Sequence, residues 1–320
     1  MILITGATGF IGNRLAAFFE KDNEPFYVVT RKANSAYSSR ETVKVIVADI
    51  AENVVLPDDV TTIYHCAGVI SKEEDMRNVN VAGTLHIAEA ALKLNCRLIH
   101  LSSAGILGNS SSLHIDESVE CKPQNLYEQT KWEAENVIRR YIDRGLRAQI
   151  LRPTIVFGPG KDPEQDSFLQ FVRSIKHGRY MNIGNGDGIY NIIHVDEVVR
   201  AMYALNDDNI PNGEAFFINT PVSFREFADV VKEETTNGKE PVRSIPYWAV
   251  LGVTAIMSGI TLLTRKKMPL TFSRLKALTN HTVFAQRKLI EMTGYVPSMT
   301  VRDYIKQICR EFSQKRLLDN

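Results

Sequence analysis

The sequence predicts an α/β fold, a doubly wound parallel sheet followed by a smaller C-terminal lobe. Three observations carry that prediction. Short apolar runs alternate with stretches of helical periodicity through the first half of the chain. The first apolar run ends in a turn with three glycines, Gly6-Ala7-Thr8-Gly9-Phe10-Ile11-Gly12. The alternation then weakens beyond Pro153, where Gly- and Pro-containing loops take over. Right-handed crossovers between parallel strands place helices on both faces of such a sheet.

Met1 to Thr5 is an apolar run long enough for one buried parallel strand. After the glycines, Ile11, Leu15, Ala16 and Phe19 recur at helical spacing. Pro25 to Thr30 reads as a second strand, Val43 to Ala48 as a third and Thr62 to Ala67 as a fourth. A helix from Val81 to Leu94 leads into the apolar strand Arg97 to Leu101, and a helix from Tyr127 to Arg144 into the strand Ala148 to Arg152. Gly158-Pro159-Gly160 and Gly184-Asn185-Gly186-Asp187-Gly188 mark loops. The expected division is a first domain over 1–157, with a return to its sheet near 189–206, and a lobe over 158–320 that mainly binds substrate.

Composition narrows the function classes. The chain has 320 residues, 44% hydrophobic and 23% charged, ordinary values for a soluble globular protein. A net charge of +1 gives no electrostatic case for a nucleic-acid partner. Cys66, Cys96, Cys121 and Cys309 are scattered, without zinc spacing, so no metal site is expected and reduced thiols in the cytoplasm are the simplest reading. Met1 to Thr5 runs straight into the glycine turn without a basic n-region or cleavage site, so the fold is expected to begin at residue 1.

The glycine turn follows an apolar strand and opens a helix, the context in which such a turn binds a dinucleotide. Gly6 permits the sharp turn, Gly9 leaves room for phosphate, and Gly12 lets the helix approach the sheet. Helix N–H groups around Thr8, Phe10 and Ile11 then face the pyrophosphate. No Gly-Lys-Ser/Thr follows, which excludes a P-loop. This is the fingerprint of a Rossmann sheet. NAD sites often carry an acid at the end of the second strand for the ribose hydroxyls. Here Thr30-Arg31-Lys32 stands there, which favours NADP over NAD, with Arg31 beside the 2′-phosphate.

Tyr127 and Lys131, four residues apart, share one face of a predicted helix. A tyrosine with a pKa of about 10 is a poor base at neutral pH. A nearby ammonium and a positive nicotinamide ring favour its phenolate, which can take a proton from a secondary alcohol or return one to a ketone. Ser103, at the end of a strand, can bond to the substrate oxygen. The non-enzyme alternative is a nucleotide-binding sensor or scaffold, but such proteins usually lack the Tyr or the Lys.

These pieces together resemble the extended short-chain dehydrogenases/reductases, the NAD-dependent epimerase/dehydratase family. Further matching segments are Asp49-Ile50, His65-Cys66-Ala67-Gly68, Asn80 to Thr84, Leu101-Ser102-Ser103, Leu151 to Gly160, His194 to Val198 and Gly294-Tyr295-Val296-Pro297. The resemblance implies that Asp49, with Ile50, contacts the adenine and that Ala67 lines the cofactor cleft. It implies that Asn80 supports the active-site backbone, and that Ser103, Tyr127 and Lys131 form the catalytic triad. Tyr127 and Lys131 also touch the cofactor, and Pro153 and Thr154 lie near the nicotinamide. A homodimer through the Tyr127 helix and its neighbour is implied too.

Some positions depart from the family. Ala104-Gly105 follows Ser103, where dehydratases carry an acid. An arginine for a sugar diphosphate is not evident in Ile189 to Ile193; Lys161, Arg173 and Arg179 are the candidate substitutes, against the simpler reading of each as surface charge. The expected substrate is therefore a small molecule, a nucleotide sugar for an epimerase or keto-reductase. The alternative is a lipophilic one for a 3β-hydroxysteroid-type dehydrogenase or ketone reductase.

Ser244 to Thr264 contains no charge, and Arg265, Lys266 and Lys267 follow at once. The length is about that of a bilayer span, with a basic flank, but Pro246, Gly252, Ser258 and Gly259 dilute it. Three readings compete: a helix packed on the lobe, an element that contacts a membrane surface or lipophilic substrate through 244–267, and a true span. The first two leave the protein cytoplasmic, the second at the membrane periphery.

Overall fold

The computed structural model describes residues 1–33, 36–108, 112–164, 166–236, 238, 240–264 and 271–319, with the backbone alone over 258–264. The first five strands are β1 (Ile2–Thr5), β2 (Phe26–Thr30), β3 (Val43–Val47), β4 (Thr62–His65) and β5 (Arg97–Leu101). Arg147–Pro153 is β6, Ile155–Phe157 β7, Ile189–His194 β8, Ala215–Ile218 β9 and Thr220–Ser223 β10. The main sheet has seven strands in the order β9-β6-β5-β4-β1-β2-β3, parallel throughout. The order reverses beside β1, so a crevice opens at the carboxyl ends of β1 and β4.

Strand burial explains why these runs are apolar without alternation. Leu3 and Ile4, adjacent on β1, enter different cores because successive side chains point to opposite faces. On one face, α1 (Phe10–Phe19) packs with Leu15 and Phe19 against Ile4, Phe26 and Tyr64. On the other, α2 (Gly83–Lys93) and α3 (Leu126–Ile142) bring Ile87, Val137 and Ile138 onto Leu3, Ile63, Leu98 and Ile150. The expected start of the second helix at Val81 is instead a π-helical turn over Arg77–Ala82.

The return to the first domain differs from the expectation. Residues 189–194 do not join the main sheet. They form β8 of a separate three-stranded sheet, parallel to β7 and antiparallel to β10. What returns is the helix after it, α5 (Val195–Ala204), whose Val198, Val199 and Met202 complete the α1-side core. The strand that does extend the main sheet is β9, where Phe216 pairs with Leu151 and Ile218 with Pro153. Its run Ala215-Phe216-Phe217-Ile218 carries no period that separates sheet from lobe.

The lobe has its own core. Phe168, Leu169 and Val172 of α4 (Ser167–Lys176) meet Phe227 and Val231 of α6 (Phe224–Thr236). The remaining helices are α7 (Tyr247–Thr264), α8 (Phe272–Thr279), α9 (Arg287–Thr293) and α10 (Val301–Gln314). Tyr304 and Ile308 of α10 close this core. Glu197 of α5 ties the lobe down, accepting bonds from Ser298 N at 2.8 Å, Tyr304 Oη at 2.6 Å and the Tyr295 hydroxyl.

Candidate active site

The glycine turn is as tight as its sequence demands. Gly6 has φ +70°, and a Cβ there would lie 2.5 Å from Ala67 N. A Cβ on Gly12 would lie 2.2 Å from Gly6 O, so the first turn of α1 rests directly on the loop below it. Gly9 is the N-cap of α1 and offers no side-chain acceptor to the helix amides. A cradle that side chains would fill, at the positive end of a ten-residue helix, fits a dinucleotide pyrophosphate. Gly9 and Thr8 are exposed, and Phe10 and Ile11 half-buried, at its rim.

A chain of buried hydrogen bonds locks the opposite wall. Ala67 N donates to Thr5 Oγ1, which lies 2.6 Å from His65 Nδ1. His65 Nε2 lies 3.0 Å from Thr84 Oγ1, whose proton goes to Asn80 O at 2.6 Å. That commitment makes His65 Nε2 the protonated nitrogen and Nδ1 the acceptor. Burial holds the imidazole neutral, with its pKa pushed down to about 3, and the charge of Lys131 adds to this. The Asn80 side chain accepts from Val69 N at 2.7 Å and donates to Val69 O and to Thr130 Oγ1, each at 3.0 Å. Thr130 in turn donates to Tyr127 O at 2.9 Å. Asn80 thus joins the loop after β4 to the helix that carries Tyr127 and Lys131, from within the π-helical turn.

Ser103, Tyr127 and Lys131 come together at the carboxyl end of β5. Ser103 Oγ accepts from Gly105 N at 3.1 Å and hydrogen-bonds the Tyr127 hydroxyl. Lys131 is buried and donates to Leu101 O at 2.6 Å. Burial raises the Tyr127 phenol, more than the Ser103 bond lowers it, and the neighbouring Glu128 raises it further. Burial lowers the Lys131 ammonium to about 8. Lys131 was expected to favour the Tyr127 phenolate. That ammonium donates to the Leu101 carbonyl, and burial favours the neutral form of the Tyr127 phenol.

The remaining expected contacts fall around the same crevice. Asp49 Oδ1 accepts from Ala51 N at 3.0 Å in the turn after β3, and Ile50 is buried against Gly83. Arg31 and Lys32 are exposed at the end of β2, where no acid stands. Pro153 ends β6 in the core, and Thr154 bonds to Ile218 O and Asn219 Oδ1 where the chain passes from the main sheet to the small one. Arg173 is spoken for by Leu317 O at 2.7 Å. Lys161 is half-buried, donates to Val156 O at 2.5 Å and lies 4.8 Å from the Phe10 ring centroid.

Residues 2–218 match the NAD dependent epimerase/dehydratase family. The chain belongs to this family. It is 28% identical over 274 residues, 78% of its length, to the 3beta-hydroxysteroid-dehydrogenase/decarboxylase isoform 1 of Arabidopsis thaliana, and spans 62% of that relative. It is 24% identical over 325 residues to the N-acetyl-alpha-D-glucosaminyl-diphospho-ditrans,octacis-undecaprenol 4-epimerase of Escherichia coli O157:H7. That match covers 94% of this chain and 91% of the relative. Its fold superposes on a crystal structure of UDP-glucuronic acid 4-epimerase from Bacillus cereus in complex with NAD, with a TM-score of 0.73 at 18% identity. The superposition covers 98% of this chain and 99% of that one.

Two interactions not expected from the sequence lie on the same helix as Tyr127 and Lys131. Glu135, buried on α3, takes a bidentate pair from the equally buried Arg152 of β6, at 3.0 and 2.7 Å. Nothing in one sequence links positions 135 and 152 beyond opposite charge. Glu128 accepts from Gln124 N and from the Asn125 side chain, while Asn125 caps α3, so the carboxylate nearest Gly105 is engaged in capping. The Asn125-x-x-Glu128 spacing carries that signal.

Proposed function

We propose that the chain is an NAD(P)-dependent oxidoreductase that moves hydride and proton at a secondary alcohol or ketone. Its substrate is a nucleotide sugar or a related sugar diphosphate, handled as a 4-epimerase or keto-reductase. One observation carries this reading: Ser103, Tyr127 and Lys131 converge beside a glycine cradle that a Cβ would block. NADP is the preferred cofactor, with NAD the alternative, because Arg31 and Lys32 end β2 without an acid. The expected cofactor contacts are Gly6, Thr8, Gly9, Phe10, Ile11, Gly12, Arg31, Asp49, Ile50, Ala67, Asn80, Tyr127, Lys131, Pro153 and Thr154.

The bound nicotinamide supplies the hydride acceptor or donor and a positive charge beside Tyr127. Tyr127 takes the hydroxyl proton as the carbon loses hydride, and returns it in the reverse direction. Ser103, already bonded to Tyr127, holds the reacting oxygen next to that phenol. Lys131 would hold the ribose of a bound cofactor, and its ammonium supplies fixed positive charge that favours the Tyr127 phenolate. The 4-epimerase of E. coli is named for a sugar diphosphate carried on undecaprenol, which supports a sugar diphosphate as the reacting part of the substrate. The Arabidopsis relative and the apolar helix favour a second reading, a 3β-hydroxysteroid-type dehydrogenase or ketone reductase with a lipophilic substrate. Pairing of two copies through α2 and α3, and a cytoplasmic location, belong to the same proposal; light scattering checks the first.

The full chain incubated with UDP-glucose and NADP or NAD decides among these. The carbon-4 epimer with no net change in cofactor marks an epimerase, and stoichiometric cofactor reduction a dehydrogenase. Cofactor reduction with a 3β-hydroxysteroid alone moves the assignment to the second reading. No turnover with either substrate class overturns the proposal.

A further inference from the structure

The apolar helix α7 is not packed into the lobe. Over 247–257, where its side chains are described, only Val250 and Thr254 are buried, one turn apart on the stripe that faces α8. Trp248 is 76% exposed and Ile256 67%, and Tyr247, Leu251, Gly252, Val253 and Ala255 are also exposed. At about 100° per residue, these seven positions cover an arc of about 240°. Every one of them is apolar or aromatic. An amphipathic helix on the surface of a protein or a membrane keeps a polar face toward water, and this stretch has none.

Charge in the sequence on either side of the helix is one-sided. Between Glu240 and Glu291 the sequence has no acidic residue, while it has Arg243, Arg265, Lys266, Lys267, Arg274, Lys276, Arg287 and Lys288. Of these, Arg265 to Lys267 lie outside the described residues; Arg243 precedes α7, and Arg274 and Lys276 are exposed on α8, beside an exposed Phe272. Tyr247 and Trp248 stand at the first turn of α7, the residue types that settle at a membrane–water boundary. No helix among the described residues is long and apolar enough to cross a membrane.

We propose that α7 embeds in one face of an anionic lipid bilayer, with the surrounding bases at the headgroups, and holds the enzyme at the membrane surface. Hydrocarbon accepts an apolar helix on all sides, and anionic headgroups match a 50-residue stretch with eight bases and no acid. A second copy of this chain is the competing occupant, but the exposed Arg243, Arg274 and Lys276 would then bring like charges toward their own copies across the two-fold axis. The inference rests on the exposed helix and does not depend on the chemistry proposed above.

The test is flotation of the full chain, without detergent, on phosphatidylcholine vesicles with and without phosphatidylglycerol. The chain is expected to float with the mixed vesicles, more weakly with phosphatidylcholine alone, and less at high salt. Ile256→Glu, near the middle of α7, is expected to lower partitioning roughly a hundred-fold while NADP binding is kept. Trp248→Glu is the second variant should the first misfold. Replacing Arg274 and Lys276 by Glu is expected to remove the preference for phosphatidylglycerol. The proposal is overturned if the wild type stays with the soluble fraction, or if both α7 variants float as well as it does. It is also overturned if light scattering shows Ile256→Glu turning a dimer into a monomer while vesicles bind neither form.

Discussion

The nucleotide half and the lobe put their apolar residues to different uses. In the first, β1, β2, β4, β5 and β6 are buried on both faces, and polar side chains around the site are paired in chains: Thr5 to His65 to Thr84 to Asn80, and Glu135 to Arg152. In the second, an aromatic core of Phe157, Phe168, Phe171 and Phe227 is complete by itself, and α7 is left outside it with its apolar surface uncovered. The first half is built to hold groups still, the second to present surface. Chemistry should therefore be sensitive to single atoms in the nucleotide half and tolerant of change on α7.

The sharpest contrast is expected at Tyr127. Tyr127→Phe removes one oxygen and the bond to Ser103, and should lower kcat by about 10²–10⁴-fold, the usual weight of a positioned acid–base group. Cofactor affinity, measured by fluorescence titration, should stay unchanged. An active Tyr127→Phe enzyme would take Tyr127 out of the proton path. The next effect is on stability. Glu135→Ala leaves Arg152 buried and unpaired, and should cost about 3–5 kcal/mol in a urea titration, since breaking one side of a buried pair strands a charge. A loss close to that of a surface pair, under about 1 kcal/mol, would show that Arg152 reaches water or another partner.

The two halves were also unequally legible in the sequence. Gly6, Gly9, Gly12, Tyr127 and Lys131 are near neighbours along the chain, and their roles depend on one turn and one helical period, so spacing alone finds them. Six of the seven strands of the main sheet, β1 to β6, stood out as short apolar runs. What spacing cannot show is pairing at a distance: Glu135 with Arg152, or Glu197 with Tyr295 and Tyr304 about a hundred positions on. The strand at 189–194 and the strand at 215–218 are both short apolar runs, and which one extends the main sheet depends on tertiary pairing that neither run encodes by itself. The uncharged run 244–264 announced a helix, but whether it is covered or exposed is a tertiary property.

Acid should loosen both halves through buried histidines. Burial lowers His194, at the junction with the lobe, to about 4, and His65, in the nucleotide half, to about 3. Both folded values lie below the ordinary 6.5, so the unfolded chain takes up protons first as pH falls. Stability should then decline from about pH 6.5, by about 1.4 kcal/mol per pH unit for each histidine, until each folded form also protonates. His65→Gln should lower the slope by one proton's worth across that window. A slope unchanged by this substitution would mean that His65 titrates normally in the folded protein.

The smallest effect is expected at Arg31, where the crevice meets water. Its side chain is exposed at the end of β2, beside Lys32 and with no acid on that strand end. A contact between an exposed guanidinium and a 2′-phosphate is screened by solvent, yet the guanidinium fork suits phosphate geometry. Arg31→Asp replaces attraction for the 2′-phosphate by repulsion and places an acceptor where ribose hydroxyls would donate. Affinity for NADP should fall roughly ten-fold while that for NAD holds or rises, read by competitive titration of the two cofactors. Equal losses for both would assign Arg31 to the shared part of the dinucleotide, and tighter NAD binding by the wild type would overturn the NADP preference itself.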